Sequence, residues 1–525
     1  MSDLLNRRLD LLTRGDTPPW IAHSRNGIEK ESLRVTPDGH LALTPHPRAL
    51  GSALTHPSIT TDYAEALLEF VTDAHVDPAR VIDDLHAIHR YVMTQLDGEL
   101  LWNQSMPARL PDEAAIPIGW YGTSNSGMLR HVYRRGLALR YGKAMQCIAG
   151  VHFNFSLAPE VWSLLAGPDA AATDAQARQS EGYMALIRNF SRHSWLLMYL
   201  FGASPALSEG FLQGREHQLQ RLRGDTLYLP WATSLRMSDL GYQNKAQSGL
   251  RPCYTNLPAY LNNLYHAVNQ PWPDYERLGT HQNGEWVQLS THILQIENEY
   301  YATIRPKRVA RRGERPLRAL HDRGVQYVEV RCIDIDPYDP IGISLDTSLF
   351  LRTFLTYCAL EDSPNLPMQG WCEESGRNFA TVVREGRKPG LHLQCQGQSI
   401  TLPDYAERIF EDLAKVAAAI DQRSGGQAYS AALARQRPKL HNADLTPSGR
   451  LLAELQISGQ TFHDFSLHLS EVHAQTLRDQ PLEAATLARF EQQSQASLRD
   501  QAQLEADHSM SFDAYVQAYH ASLSD

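Results

Sequence analysis

Two carboxylates stand two residues apart in the stretch SRNGIEKESLRV (24–35), at Glu29 and Glu31. The stretch reads as a β-strand, and that spacing then puts both acids on one face while Ile28 and Lys30 point to the other. Adjacent like charges repel. Such a pair marks either a solvated sheet face or a place toward which other groups converge.

Other segments repeat the alternation. In GVHFNFSL (150–157), Val151, Phe153, Phe155 and Leu157 share one side and leave His152, Asn154 and Ser156 on the other. LQIENEYY (294–301) sets Gln295, Glu297, Glu299 and Tyr301 against Ile296, Asn298 and Tyr300. YVEVRCIDID (327–336) sets Tyr327, Glu329 and Arg331 against Val328, Val330 and Cys332. ITTDYAEALLEF (59–70) adds Asp62 and Glu69. With Asp62 at the end of a loop and Glu69 two turns along a helix, their spacing brings Glu69 back to the side that Asp62 starts. The carboxylates of Glu29, Glu31, Asp62, Glu69 and Glu329 and the imidazole of His152 can then meet. An oxygen-rich set with few other donors suits Mg²⁺ or Mn²⁺. The single histidine and the lack of an HExxH motif speak against zinc.

Basic residues form a second group. IRPKRVARRGERPLR (304–318) holds seven Lys or Arg, and reads either as an exposed loop or as a source of Arg305, Lys307 or Arg308 for a polyphosphate. TSLRMSDLGYQNKAQS (233–248) adds Arg236 and Tyr242, and YRRGLALRYG (133–142) adds Tyr133 and Arg134. A metal basin flanked by arginines fits phosphoryl transfer from a nucleotide. There is no GxxxxGK[ST] and no GxGxxG, so neither a P-loop nor a Rossmann turn holds that nucleotide. GTSNSG (122–127) breaks the GxSxG pattern, and no cysteine has a histidine in a recognisable nucleophile context. Covalent hydrolase chemistry is thereby disfavoured.

Strands with one apolar and one polar face belong to an antiparallel sheet open on one side; a doubly wound parallel sheet would show continuous apolar runs. Amphipathic helices are predicted over 78–96 and 180–201, and they can cover the apolar face. From about Pro403 helical periodicity dominates. The expected fold class is α+β, with a catalytic region over 1–402 and a helical part over 403–525 packed on it. With 42% hydrophobic and 21% charged residues the 525-residue chain is globular, and its net charge of −10 argues against a general nucleic-acid partner. The start of the chain lacks the apolar region of a signal peptide, and SWLLMYLFGA (194–203) is too short to span a bilayer. A cytoplasmic protein is expected. The six cysteines form no CxxC pair; Cys372 and Cys395, in turn-rich sequence, could pair under oxidation.

The blocks NGIEKESLRV, GSALTHPSITTDYAEALLEFVT, YGTSNSG, GVHFNFSL, YLPWATSLRMSDLGYQNKAQS, LQIENEYYATIRPKR, YVEVRCIDIDPYDPIGI and EGRKPGL resemble the conserved blocks of the proteobacterial glutamate–cysteine ligases. They run in family order over about residues 25 to 395, while the C-terminal part resembles the family in length and character alone. The resemblance implies a glutamine-synthetase-like fold whose curved antiparallel sheet forms a funnel. It also implies the first step of glutathione synthesis, in which ATP, L-glutamate and L-cysteine give γ-glutamylcysteine, ADP and phosphate. By similarity, Glu31, Asp62 and Glu69 hold one Mg²⁺ (or Mn²⁺), and Glu29, His152 and Glu329 hold another on the ATP phosphates. Arg331 lies near the transferring phosphoryl group, with Asn154 and Arg305 also toward the phosphates. Tyr133, Arg134, Gln146, Arg236, Tyr242 and Tyr301 shape the amino-acid pockets. The Gly-, Ser- and Asn-rich loops 122–127 and 240–248 are candidates to close over the site, and glutathione is a candidate feedback inhibitor. Lys30 stands where relatives often have Arg, on the face away from the metals. The alternative is a ligase of the same fold that uses another amine.

Overall fold

The structure, a computed structural model, describes residues 3–166, 174–241, 246–247, 250, 254–311, 313–364, 371–507 and 509–523. Its centre is a seven-stranded sheet built from Arg25–Val35 (β1), Ile59–Thr61 (β2), Leu67–Val71 (β3), Leu100–Trp102 (β4), Val151–Ser156 (β5), Ile304–Lys307 (β6) and Tyr327–Ile333 (β7). The order across it is β6-β7-β5-β1-β3-β2, with β4 beside the end of β1. Every pairing is antiparallel. The α+β expectation is met.

Alternation sorts the two faces. Ile28, Phe153, Val328 and Val330 are wholly buried on the back, each contributing about 1.5–3 kcal/mol of apolar burial. Helix Pro78–Gln95 packs behind β1 and β3, and helix Ala175–Phe201 behind β6 and β7. The helix Leu345–Leu360 lies against Ala175–Phe201 and is buried along almost its whole length. C-terminal helices complete this layer: Leu402–Ser424 rests on Leu345–Leu360, and Phe462–Arg478 rests on β4. Lys30 does point to the back, where its ammonium donates to Ser32 Oγ at 3.0 Å and burial pulls its pKa down to about 7. No disulfide joins Cys372 to Cys395.

Two sequence expectations fail here. Residues 59–70 form a hairpin, not a loop and helix, so Glu69 is a strand residue paired with Thr60 on one side and Glu31 on the other. The helix-favouring run AEALL is overridden because β3 sits between two strands, with Leu68 and Phe70 fully buried on the back. Residues 294–301 form no strand; they make a 3₁₀ turn at Glu297–Glu299. Their acids are consumed locally. Glu297 accepts from Arg315 Nε at 3.1 Å and from Leu317 N at 3.1 Å, and Glu299 accepts from Arg140 Nη1 at 3.0 Å and Gln295 N at 2.7 Å.

The start of β1 is held to the helical layer chiefly by Arg352, beside a longer bond from Asn26 Nδ2 to Ser348 Oγ at 3.5 Å. Arg352, fully buried on helix Leu345–Leu360, donates to Ser24 O and Ser24 Oγ, each at 2.7 Å, to Val76 O at 2.6 Å and to Asn26 Oδ1 at 3.3 Å. Arg352→Met leaves these buried oxygens without a donor. It is expected to cost about 3 kcal/mol, seen as a lower urea midpoint at unchanged slope. A midpoint equal to the parent's would show that β1 is anchored elsewhere.

Candidate active site

The open face of the sheet is the floor of a cavity of about 470 Å³. Strand register brings its acids together. Glu29 stands opposite His152, Glu31 opposite Glu69, and Asn154 between Gly27 and Glu329. His152 bridges the paired acids of β1: Nδ1 lies 3.2 Å from Glu29 Oε2, and Nε2 lies 3.6 Å from Glu31 Oε1. Asn154 Nδ2 donates to Glu29 Oε1 at 2.9 Å, and Gly150 N donates to Glu31 Oε2 at 2.7 Å. At the β6–β7 edge the cations arrive. Lys307 Nζ donates to Glu329 Oε1 at 3.3 Å, and Arg331 Nη1 lies 3.3 Å from Glu329 Oε2.

These contacts split the floor electrostatically. Burial would raise Glu329, but Lys307 and Arg331 hold it well below the usual carboxylate range. Burial likewise works against Glu29, and the His152 hydrogen bond helps bring it below the ordinary value. On the other side Arg331 offsets the crowding at Glu69 only in part, and His152, Arg236 and Arg331 that at Glu31. Burial, then Glu29, Asp62 and Glu31, push Glu69 well above the carboxylate range, and burial raises Glu31. Arg331 is raised despite its burial, because Glu329, Glu31 and Glu29 surround it.

A divalent cation fits the Glu329 side. Glu29, His152 and Glu329 each offer an atom within 4.8 Å of the others', and Glu329 Oε2 is buried without a hydrogen bond. Two carboxylates and one imidazole make a set compatible with Mg²⁺ or Mn²⁺. Glu31, Asp62 and Glu69 line the same cavity. Among the described residues, only the first trio meets so closely.

The walls gather most of the remaining expected residues. Tyr133 and Arg134 come from helix Asn125–Tyr141, Gln146 from the turn Ala144–Cys147, Arg236 from the turn Leu235–Met237, and Tyr301, Arg305 and Arg331 from the β6–β7 side. Asn154 does not line the cavity but steadies Glu29 from beneath. Tyr242 and part of loop 240–248 lie outside the described residues. The basic stretch is divided. Arg305 and Lys307 face the cavity, Arg308 turns away to donate to Gly324 O at 2.6 Å, and Arg315 is spent on Glu297. Loop 122–127 runs into the helix, with Ser124 as its cap.

Several lining residues escaped the sequence reading. Arg130 was visible in principle: Arg130, Tyr133, Arg134 and Leu137 follow the spacing of one helix face, and all four line the cavity. Tyr63 hides in the hairpin misread as a loop and helix. Gly150 needs its missing side chain, since a Cβ there would lie 2.0 Å from Arg236 Nη2. Only the folded chain shows that approach.

Acids on a sheet floor and cations on the walls make a basin suited to anionic substrates and the cations that accompany them. Comparison with known proteins makes this specific. The family model for glutamate-cysteine ligase matches residues 9–382. The glutamate–cysteine ligase of Pseudomonas paraeruginosa is 57% identical over 523 residues, covering 100% of this chain and 99% of that protein. The crystal structure of glutamate–cysteine ligase from Francisella tularensis in complex with AMP superposes with a TM-score of 0.90 at 36% identity, over 96% of this chain and 98% of that one. A bifunctional glutathione synthetase from Pasteurella multocida shares the fold, with a TM-score of 0.72 at 24% identity over 93% of this chain and 57% of that one. The chain belongs to the glutamate–cysteine ligase family.

The crowding at Glu69 has a measurable consequence. A carboxylate whose pKa is raised on folding keeps its proton in the native state after the unfolded chain has lost it, so stability falls as pH rises from about 4.5 through the raised value. Glu69→Gln removes that loss. In metal-free protein the variant is expected to match the parent's urea midpoint at pH 4.5 and to exceed it increasingly toward pH 8.5. A difference that does not change with pH would show that Glu69 carries no such strain.

Proposed function

We propose that this protein joins the γ-carboxylate of L-glutamate to the amine of L-cysteine, forming γ-glutamylcysteine while ATP becomes ADP and phosphate. The observation that carries this reading is the full-length kinship with glutamate–cysteine ligases, joined to a basin whose floor and walls bear the charges such a reaction needs. The AMP held by the Francisella relative supports ATP as the co-substrate. Mg²⁺, or Mn²⁺ in its place, would be held by Glu29, His152 and Glu329, and in a second position by Glu31, Asp62 and Glu69. Such a cation supplies neutralisation of phosphate oxygens.

The side chains do the rest. Arg331, carried beside Glu329 on β7, is aimed to receive charge on the transferred phosphoryl group. Lys307 can share that charge. Arg305 is held by the carbonyls of Asn298 and Tyr300 and so offers a fixed positive edge more than a mobile one. Arg236 is fixed by Arg331 O at 2.9 Å and Ile333 O at 3.3 Å, beside Tyr301, whose hydroxyl meets Met237 Sδ at 3.2 Å. Together with Tyr133, Arg134 and Gln146 they form the wall against which the amino acids are placed, and the family resemblance gives Tyr242 a part in amino-acid binding.

With neither Ser nor Cys among the described lining residues, phosphate is read as the activating group. A γ-carboxylate oxygen of glutamate attacks the terminal phosphorus and ADP departs. The cysteine amine then attacks the acyl carbon, phosphate departs with that carboxylate oxygen, and the amine proton is released. Water must be kept out meanwhile. Glutathione contains the γ-glutamylcysteinyl unit and is read as a competitor for the same basin. No described helix is long and apolar enough to cross a membrane. The use of ATP is our reason for reading the reaction as cytoplasmic.

Labelling tests the route. With ¹⁸O in the γ-carboxylate of glutamate, one labelled oxygen is expected in the released phosphate for each peptide bond formed. Unlabelled phosphate would overturn the acyl-phosphate route. Offering a panel of amines beside cysteine and weighing the products tests the acceptor, and preferential use of another amine would replace cysteine in the assignment.

A further inference from the structure

Five guanidinium groups line the basin, on Arg130, Arg134, Arg236, Arg305 and Arg331. Four of them are engaged with the protein. Arg134 donates to Asp62 O and to Arg130 O, Arg236 to the β7 backbone, Arg305 to Asn298 O and Tyr300 O, and Arg331 pairs with Glu329. The guanidinium of Arg130 makes no hydrogen bond or ion pair with any described residue. Its contact is with a ring: Cζ lies 5.6 Å from the centre of Tyr121, alongside Arg134 at 4.6 Å.

That ring is a fixed platform. Tyr121 OH donates to Thr61 O at 2.9 Å and lies 2.9 Å from Thr61 Oγ1, which ties the ring to β2 at the Asp62 end of the sheet. Two guanidinium groups one helical turn apart repel each other, and stacking on one tyrosine offsets that only in part. Arg130 is exposed at the rim of the basin; partial desolvation and the neighbouring charge of Arg134 lower its pKa, while Tyr121 and then Glu69 act to raise it. A carboxylate placed between Arg130 and the floor would accept two of its free N–H donors in the bidentate geometry of the guanidinium fork.

We propose that Arg130 is a specificity-determining residue that receives the α-carboxylate of an amino-acid substrate, at the end of the basin opposite Lys307 and Glu329. This rests on the ligase reading above. A carboxylate matches the guanidinium fork, and Arg130 stands at the Asp62 and Glu69 end, away from the side assigned to the phosphates. Both glutamate and cysteine carry such a group. Its reaction partner is not altered by the contact, so the effect falls on recognition.

Truncated substrates provide the test, because each removes one α-carboxylate and keeps the reacting group. Cysteamine is cysteine without it, and 4-aminobutanoate is glutamate without it. For Arg130→Gln, kcat/KM is expected to fall about 10- to 100-fold for one natural amino acid, with KM for ATP unchanged and partial recovery in Arg130→Lys. The fall should vanish when the truncated analogue replaces that same amino acid, which identifies whose carboxylate is read. An equal fall with both analogues would mark a general effect on the helix, and no fall with either natural substrate would leave Arg130 without a ligand; each overturns the proposal. If the parent enzyme itself fails to join glutamate to cysteine, the ligase reading fails first.

Discussion

One constraint governs this molecule: Glu31 and Glu69 face each other directly across paired strands, with Glu29 a pleat away on the same floor. Like charges so placed oppose the pairing that brings them together, by about 0.2–1 kcal/mol for each pair. Burial makes the opposition worse, since water no longer screens it. The sheet can tolerate this only because its other face is committed. Ile28, Phe70, Phe153 and Val330 are fully buried behind it, and a slip of one residue would exchange those side chains with the acids. The register that crowds the floor is therefore the register the core enforces.

How the charge is balanced follows from where the strands lie. Cations enter from β6 and β7 at one edge, so Glu329 and Glu29 are held ionised, while Glu69 between β1 and β2 is left without a comparable partner. Lys307 reaches the floor from the edge strand because it stands two residues from Arg305 and so shares its face. The helix Asn125–Tyr141 supplies the opposite wall, and its position is set by the tyrosine platform below it and by the cap at Ser124. The gradient from balanced to unbalanced acids runs across the basin and does not depend on any single side chain.

Much of this was readable from the sequence. β1, β5 and β7 alternate between a buried apolar side and a polar one, so period two located Glu29, Glu31, His152, Glu329 and Arg331 on a common face. Glu69 was identified by its chemistry but placed on the wrong element, since the residue types of β3, LLEFV, show no clean apolar–polar alternation. In 294–301 the alternation was real in composition, yet Glu297 and Glu299 each find buried arginine partners far along the chain or across the cavity wall, and the segment turns instead of extending. No local pattern encodes such partners. Gly150 depends on a distance of closest approach, which sequence does not contain.

The basic stretch 304–318 shows why composition alone misleads. Read as a charge run it offers one surface for polyanions; folded, it is taken apart by the geometry of the elements it enters. In β6 the strand period assigns Arg305 and Lys307 to the basin. Beyond the strand end that rule lapses, and Arg308 is claimed by the carbonyl of Gly324 while Arg315 is buried against Glu297. A guanidinium is too costly to bury without oxygen partners, so each arginine goes where acceptors are, and the fold decides where those lie. The same logic explains the walls of the basin. Arg134, Arg236 and Arg305 are held rigid by backbone oxygens and Arg331 by an acid, which limits how far each can follow a substrate and makes the cavity selective for anions whose charges already match its spacing.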